Sequence, residues 1–332
     1  MAEHWVIPVT DSKPLTSVHE ILQAVWKTAE LNQMLIPIWS ENAHMPVPTL
    51  IHDPDELMQA DPFAPIMTGN AAGTAFDSIR KSHGKRLGLF LRPCEIRSLR
   101  KIADREQADL TNVLLLSSDC LGAIPYEDYR RHLTLTKDYL QMTRETLQFA
   151  AQGGVLPSRY QQSCQLCDAP FPSGVDVHFE LFGSETQDQL LLNWNEGSFR
   201  SPLSTHLESS VAPNQLIERR ERVINNLGRW RSRSLNSHRE ELDPTLATPE
   251  ALITHLQHCS DCWDTLEAHC PTFDEQALLA TDEHEALLNW LSTCGGCGMC
   301  ASSCPEGYPL FEVIVALRSA SQVPIPPDPH IL

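Results

Sequence analysis

The stretch "KRLGLFLRPCEIRSLRKIADREQADLTNVLLLSSD", residues 85–119, decides the fold of this chain. It begins with a short apolar segment, continues through a charged segment with helical spacing, and ends in a nearly continuous apolar run. A continuous apolar run is typical of a strand that is covered on both faces, as in the parallel sheets of α/β proteins. The order strand, helix, strand therefore predicts a parallel βαβ core.

Segments on both sides of this core extend the pattern. Upstream, "HWVIPV" and "MLIPIW" predict strands on either side of a helix at "SVHEILQAVWKTAE". The proline-rich residues 46–65 then predict an extended connection, and "GNAAGTAFDSIRKSHG" predicts a helix that ends near Gly84. Downstream, "DVHFELFG" and "QLLLNW" predict later strands. We therefore expect an α/β fold with a mostly parallel sheet.

Composition divides the chain into five segments. They are an N-terminal α/β segment at 1–64, a central α/β domain at 65–200, a helical connector at 201–247, a helical cysteine-rich domain at 248–320 and an extended proline-rich tail at 321–332. The helix expected at 213–240 has few apolar positions, so we expect it to be solvated and packed on one side only.

Charge and cysteine content limit the class of protein. The net charge of −18 argues against binding to nucleic acid or to acidic membranes, because both would repel the chain. The first residues do not have the pattern of a signal peptide, and the apolar runs are too short to span a membrane. We therefore expect a cytoplasmic protein without membrane insertion, in which thiols stay reduced. Eleven cysteines in such a chain indicate metal rather than disulfides.

The run "CGGCGMCASSCPEG", residues 294–307, has the spacing C-x₂-C-x₂-C-x₃-C-P of bacterial ferredoxins. Its ligands would be Cys294, Cys297, Cys300 and Cys304. Glycines between the cysteines allow the backbone to approach a cluster closely and to donate N–H groups to sulfur. Zinc is the alternative, since "CSDC" and "CGGC" supply four ligands, but zinc would leave the last two cysteines without a role.

A second run, "HCSDCWDTLEAHCPTF" at 258–273, is incomplete. It contains Cys259, Cys262 and a Cys270–Pro271 pair, but the third cysteine is replaced near Thr265. In two-cluster ferredoxins the last cysteine of each run serves the other cluster. We therefore expect two ligand sets: Cys294, Cys297, Cys300 and Cys270 in one, and Cys259, Cys262 and Cys304 in the other.

The second of these sets lacks one cysteine. Either the cluster is [3Fe–4S], or a non-cysteine group holds the fourth iron. Asp264 is the first candidate because it lies beside the vacant position, and His269 is the second. The remaining alternative is that this half has lost its cluster and that its thiols are merely buried.

Four further cysteines lie outside both runs. Cys94 and Cys120 follow predicted strands, and Cys164 and Cys167 form a C-x₂-C pair before another strand. Open α/β sheets place their sites at the carboxyl ends of parallel strands, so these thiols would form a metal site if they converge. Alternatively, Cys94 and Cys120 are small buried apolar residues.

Three blocks of the sequence resemble a known family. "LRPCEIRSLRKI", "NVLLLSSDCLGAIPYEDY" and "SCQLCDAPFPSGVDVHFELFG" resemble successive blocks of the coenzyme F420 hydrogenase/dehydrogenase beta-subunit family, over roughly residues 65–185. This family includes beta subunits of F420-reducing hydrogenase and of certain formate dehydrogenases. The resemblance implies a flavin-binding α/β domain that carries FAD and iron–sulfur clusters. The ferredoxin-like runs at the C-terminus distinguish this chain from many members.

The resemblance also implies roles for particular residues. Cys94, Cys120, Cys164 and Cys167 would hold a [4Fe–4S] cluster near the flavin. Cofactor contacts would come from Asn70, Arg92 and the start of the helix after Pro93, including Glu95, where N–H groups would receive a phosphate. The alternative for Arg92 is an ion pair at the surface or the sheet edge. Since the chain has no G-x-G-x-x-G motif, the FAD prediction rests on the resemblance alone.

We therefore expect an electron-transfer subunit with FAD and two or three [4Fe–4S] clusters, one of them [3Fe–4S] if the vacant position stays empty. Its partner would be a hydrogenase, a formate dehydrogenase or a heterodisulfide-reductase-like enzyme, contacted through residues 213–235 and the tail at 322–332. Two alternatives are a subunit of the sulfhydrogenase or anaerobic sulfite reductase beta type, and a non-enzymatic protein that binds structural zinc.

Overall fold

An eight-stranded mixed sheet, in the order β3-β2-β4-β5-β6-β7-β1-β8, forms the centre of the molecule. The computed structural model describes residues 4–153, 159–167, 169–273, 283–302 and 308–320. The strands are β1 His4–Pro8, β2 Gln33–Ser40, β3 Met45–Ile51, β4 Leu87–Phe90, β5 Val113–Ser118, β6 Val177–Phe179, β7 Gln189–Trp194 and β8 Ser210–Val211.

The centre of the sheet is parallel. β2 pairs with β4, β4 with β5 and β5 with β6 in parallel register, whereas the outer pairs are antiparallel. All four residues of β4 are buried, which explains why this strand is apolar throughout. The α/β fold and the parallel core expected from residues 85–119 are therefore confirmed.

Helices cover the sheet and form the C-terminal part of the chain. The α-helices are α1 Pro14–Thr28, α2 Ala72–Lys81, α3 Pro93–Arg105, α4 Tyr126–Thr136, α5 Gln141–Gln148, α6 Gln162–Gln165, α7 Asn214–Glu241, α8 Pro249–His258, α9 Ser260–His269, α10 Glu283–Thr293, α11 Met299–Ser302 and α12 Leu310–Ala320. In the described ranges, none of these helices is long and apolar enough to cross a bilayer.

The prediction of an extended connection over residues 46–65 is partly wrong. Residues 45–51 form β3, which pairs antiparallel with β2 along its whole length. Pro46 and Pro48 are two residues apart, so their backbone nitrogen atoms lie on the same edge of β3. Because β3 is an edge strand, that edge can face away from β2, where no N–H donor is required.

Strands from the first two predicted segments share this one sheet. β1, from the N-terminus, lies between β7 and β8. The helices from α8 onwards have a separate apolar core, in which Leu252, Leu266 and Leu291 are fully buried. The N-terminal segment is thus part of the sheet domain, whereas the C-terminal helices have a core of their own. The predicted tail at 321–332 and Cys304 lie outside the described residues.

Candidate metal and cofactor centre

Four cysteine side chains meet at the carboxyl ends of the parallel strands. Cys94 lies in the first turn of α3, after β4, and Cys120 follows the end of β5. Cys164 lies in α6, and Cys167 follows that helix. All four line one small cavity of about 30 Å³. The structure therefore brings together the four thiols that the resemblance assigns to one cluster, and we refer to them as the sheet group.

Burial disfavours the thiolate form of two cysteines of the sheet group, Cys164 and Cys94. It raises the pKa of Cys164 to about 12, and the charges of Cys120 and Cys167 contribute to this rise. Burial also raises the pKa of Cys94 well above its usual value. A bound metal would reverse this effect, because coordination deprotonates a thiol. The four thiols are therefore suited to a metal centre, although their role as ligands stays a prediction.

The thiols of the complete ferredoxin-like run form another group, and Cys270 joins them. Cys297 and Cys300 each interact electrostatically with both Cys294 and Cys270. Cys270 lies directly after α9, in the upstream run, so the four positions are arranged in the crossed manner of a two-cluster ferredoxin. Burial raises the pKa of Cys297 to about 12. We refer to these four cysteines as the helical group.

Close packing joins the helical group to the sheet domain. A methyl group on Gly295 would overlap Ser98 Oγ and lie 2.6 Å from the carbonyl oxygen of Cys94. Arg97, on the same helix α3, donates from Nε at 3.0 Å and from a terminal nitrogen at 2.9 Å to the Gly295 carbonyl. As a result, Cys297 lines the cavity of the sheet group. The two groups are direct neighbours.

The remaining cysteines lie near a histidine. The ligand atoms of His255, Cys259 and Cys262 all lie within 4.8 Å of one another, and among the described residues this is the only such group of three. His255 Nε2 lies 3.2 Å from Cys262 Sγ. Neither Asp264 nor His269, the ligands expected from the sequence, belongs to the group. We refer to these three residues as the histidine group.

The three predicted cofactor contacts line a cavity of about 210 Å³ beside the sheet group. Arg92 donates to the carbonyl oxygens of Ala64 and Ile66, the latter at 2.8 Å, and one terminal nitrogen lies 3.8 Å from Cys120 Sγ. These contacts show that Arg92 holds the loop around residues 64–66 and faces a thiol, rather than forming the surface ion pair of the alternative interpretation.

Glu95 has a structural task in this cavity. Its carboxylate accepts hydrogen bonds from the backbone N–H groups of Arg92 at 2.8 Å and Ala71 at 3.1 Å. It therefore caps the start of α3 with a negative charge of its own. A phosphate at this helix start would lie beside the Glu95 carboxyl, and its binding there stays a prediction.

Asn70 connects the cavity with the helical group. Its Oδ1 accepts from the N–H of Ala72 at 2.9 Å, and its Nδ2 donates to Ser98 Oγ at 3.2 Å. The same side chain hydrogen-bonds Cys297, which lowers the pKa of that thiol against the larger effect of burial. Asn70 is thus placed to contact a cofactor and a cysteine of the helical group at once.

No protein-family model and no curated protein matches the chain. A chain of the F420-reducing [NiFe] hydrogenase complex from Methanosarcina barkeri has a similar structure, with a TM-score of 0.50. The match covers 72% of this chain and 93% of that chain, at 9% sequence identity. The two chains share a fold. The match thus shows a shared fold, and the resemblance of the three blocks in residues 65–185 to the beta-subunit family stays a prediction.

Sequence reasoning missed Asp61. The fully buried Asp61 lines the same cavity as Arg92, and burial raises its pKa to about 6. The Thr143 hydroxyl donates to its Oδ2 at 2.6 Å. An aspartate in a proline-rich stretch such as "ADPFAP" has no spacing that distinguishes it, so no pattern could have indicated this carboxyl.

A buried charge network next to Cys120 was also missed. Asp119 accepts from His178 Nε2 at 2.9 Å, from the N–H of Phe182 at 2.8 Å and from both terminal nitrogens of Arg220. Burial alone would raise the pKa of Asp119, but Arg220 and His178 outweigh it and hold the pKa well below its usual value. The network fixes the end of β5, where the sheet group begins.

Helix α7 is largely exposed and packed on one side, as expected, but two of its arginines are buried. Arg220 and Arg231 are each only 6% exposed. Arg231 donates to the carbonyl oxygen of Cys167 at 2.6 Å, and Arg220 forms the ion pair with Asp119. Two of its arginines therefore anchor α7 to the sheet group.

Proposed function

We propose that this protein is an electron-transfer iron–sulfur flavoprotein subunit. It binds FAD beside the sheet group, holds clusters at its cysteine groups, and links a hydrogenase, a formate dehydrogenase or a heterodisulfide-reductase-like partner to a second electron carrier. FAD exchanges electron pairs and the clusters single electrons, whereas the protein supplies positions and electrostatics.

The observation that carries this proposal is that neighbouring candidate sites share lining residues. Arg92 lines both the 210 Å³ cavity and the cavity of the sheet group, and Cys297 of the helical group also lines the latter. The helical group and the histidine group in turn share one apolar core, in which Cys262 and Cys300 are buried. Four candidate sites thus follow one another without an intervening element.

The volume beside the sheet group supports a ligand as large as FAD. A cavity of about 210 Å³ is smaller than ordinary cofactor sites, which occupy about 300–1,000 Å³. A second cavity of about 690 Å³ shares Met67 and Thr68 with it. The two together fall within that range.

Anoxic purification of the full chain from its native host tests the proposal. We expect about twelve iron and twelve sulfide atoms per chain if all three groups hold clusters, or about eleven iron atoms if one is [3Fe–4S]. We also expect close to one FAD and co-purifying redox subunits. A colourless protein with zinc in place of iron would overturn the proposal and favour the structural zinc alternative.

The order of the sites is tested by following electrons from the flavin. After photoreduction of FAD, the EPR signals of the sheet-group and helical-group clusters should both appear. Cys297→Ser should abolish the helical-group signal and retain that of the sheet group. Ser292→Ala, on the helix just before the run, is the matched control and should behave like the parent. Loss of both signals in Cys297→Ser would contradict the proposed order.

A further inference from the structure

The incomplete run leaves a cluster one cysteine short, and the structure identifies a residue that replaces it. Thr265, at the position nearest the missing cysteine, is buried in α9 and has no group that binds iron as a thiolate does. The first two cysteines of the run, Cys259 and Cys262, remain together, with their sulfur atoms within 4.8 Å. Any additional ligand must lie close enough to these two sulfur atoms to bind the same cluster.

His255 reaches them from upstream. It lies in the last turn of α8, four residues before Cys259, and one helical turn brings residues at this separation to the same face. Its Nε2 lies 3.2 Å from Cys262 Sγ, and its ligand atom also lies within 4.8 Å of the Cys259 sulfur. Imidazole nitrogen and thiolate sulfur are both established ligands of iron–sulfur clusters.

Packing fixes the orientation of this imidazole. The ring of Tyr308 stacks on that of His255, with 3.6 Å between the centroids and 10° between the planes. His258, in the same helix, differs from His255. It is exposed, and its Nδ1 donates a hydrogen bond to the carbonyl oxygen of Thr254 at 2.7 Å. His255 is therefore held toward the sulfur atoms, and its neighbour is not.

The two ligands expected from the sequence are less suitable. Asp264 is exposed and lies two residues after Cys262 in α9, which turns it by about 200° to the opposite face of the helix. His269 lies seven residues after Cys262, about 10 Å farther along the helix axis. Neither position is adjacent to both sulfur atoms.

We propose that His255 is a ligand, through Nε2, of the iron–sulfur cluster held by Cys259 and Cys262. This inference rests on the proposed function, since it assigns the ligands of one of its clusters. A neutral imidazole in place of a thiolate makes the cluster less negative. Its reduction potential should therefore be higher than that of an all-cysteine cluster, as imidazole ligation raises the potential in Rieske centres.

The test compares three variants of the full chain, purified without oxygen: His255→Ala, His255→Cys and, as the matched control, His258→Ala. The readouts are iron per chain, the reduction potentials from EPR titration, and the nitrogen coupling that pulsed EPR detects after labelling with ¹⁵N-histidine. The parent should show one histidine nitrogen coupled to a cluster. His255→Ala should lose this coupling and at least one iron atom per chain.

His255→Cys should retain the iron of the parent, lose the nitrogen coupling and lower the potential of one cluster. His258→Ala should match the parent in all three readouts. The inference is overturned if His255→Ala keeps the coupling, if His258→Ala loses it, or if the centre that depends on His255 contains zinc. Iron bound in the sheet and helical groups of these samples would leave the proposed function intact, whereas a parent without iron would contradict that function itself.

Discussion

The sheet group and the helical group both consist of four cysteines, but the chain brings these cysteines together in different ways. The sheet group takes two cysteines from the ends of β4 and β5 and two from α6 and the residues after it, and arginine contacts from α7 fix the surroundings of Cys120 and Cys167. The helical group takes three of its four cysteines from one short run with glycines between them. Local spacing thus builds one site, and tertiary structure builds the other. The sheet group should therefore be sensitive to distant substitutions, and the helical group mainly to changes in its own run.

Removal of one ligand should have the largest effect and should separate the two regions. Cys120→Ser should abolish the cluster of the sheet group, and Cys270→Ser that of the helical group, so each variant should lose up to about four iron atoms per chain. Iron analysis and EPR of anoxic samples measure this. Simultaneous loss of both clusters in Cys270→Ser would show that the helical group does not assemble as an independent site.

Arg220→Met should damage the sheet group from a distance. The substitution removes the arginine partner of the buried, charged Asp119 and leaves it with His178 and the Phe182 N–H, and breaking a buried ion pair costs about 3–5 kcal/mol. We expect a lower unfolding temperature and loss of the sheet-group signal before that of the helical group on heating. The adjacent Arg219→Ala removes an exposed ion pair with Glu185 and should cost less than about 1 kcal/mol. Equal effects of the two variants would contradict the anchoring role of α7.

Asp61→Asn should alter stability in a pH-dependent manner on the sheet side. Because burial raises the folded-state pKa to about 6, the folded protein binds more protons than the unfolded chain between about pH 4 and pH 6. The parent therefore loses stability as pH rises through this window, by about 2–3 kcal/mol in total. The asparagine side chain of the variant is neutral at every pH, so it has no such charge to bury.

The parent and this variant should have similar unfolding temperatures near pH 4.5, and the variant should be the more stable at pH 7.5. The control is the exposed Asp109→Asn, where hydrogen bonds from Thr111 lower the pKa of the carboxyl, so that any pH dependence runs in the opposite direction. A constant difference between the parent and Asp61→Asn across this range would show that Asp61 does not titrate there.

Gly295→Ala should have the smallest effect and act on the contact between the regions. The added methyl group overlaps Ser98 Oγ, and overpacking of this kind costs about 1–3 kcal/mol. Gly228→Ala is the control, since no atom lies within 4 Å of the new methyl group in α7. That control should raise stability by about 0.5–1 kcal/mol, as expected for Gly to Ala in a helix. Thermal unfolding compares the two, and a stabilising Gly295→Ala would mean that the regions do not pack as described.

The two regions also differ in what their sequences reveal. The apolar runs at 87–90 and 113–118 predict the central strands, because strands buried on both faces have no polar positions. The prolines at 46 and 48 argue against a strand, so the sequence does not predict β3. Prolines are tolerated there because β3 lies at an open edge of the sheet, and the sequence does not show which strand forms that edge. The spacing of the helical run predicts its own group, and the two-run layout predicts the addition of Cys270.

Other parts of the site depend on tertiary structure and cannot be predicted from local sequence patterns. The sequence suggests a ligand next to the vacant position at Thr265, whereas His255 approaches from the preceding helix. The spacing of residues along two helices does not predict the angle between those helices. Arg220 and Arg231 look like solvated charges because a charged residue on a helix does not reveal which neighbour covers it. Convergence of the sheet group likewise depends on the order of strands, which no local pattern contains.

The contact at Gly295 has a consequence for how the protein matures. Gly296 and Cys297 follow the sheet domain in the chain, so the cavity of the sheet group lacks the wall that they provide until their run has packed against α3. Once that wall is in place, the cavity is too small to admit a preformed cluster without reopening. If the sheet group holds a cluster as proposed, its iron and sulfide would have to enter before or during this closure.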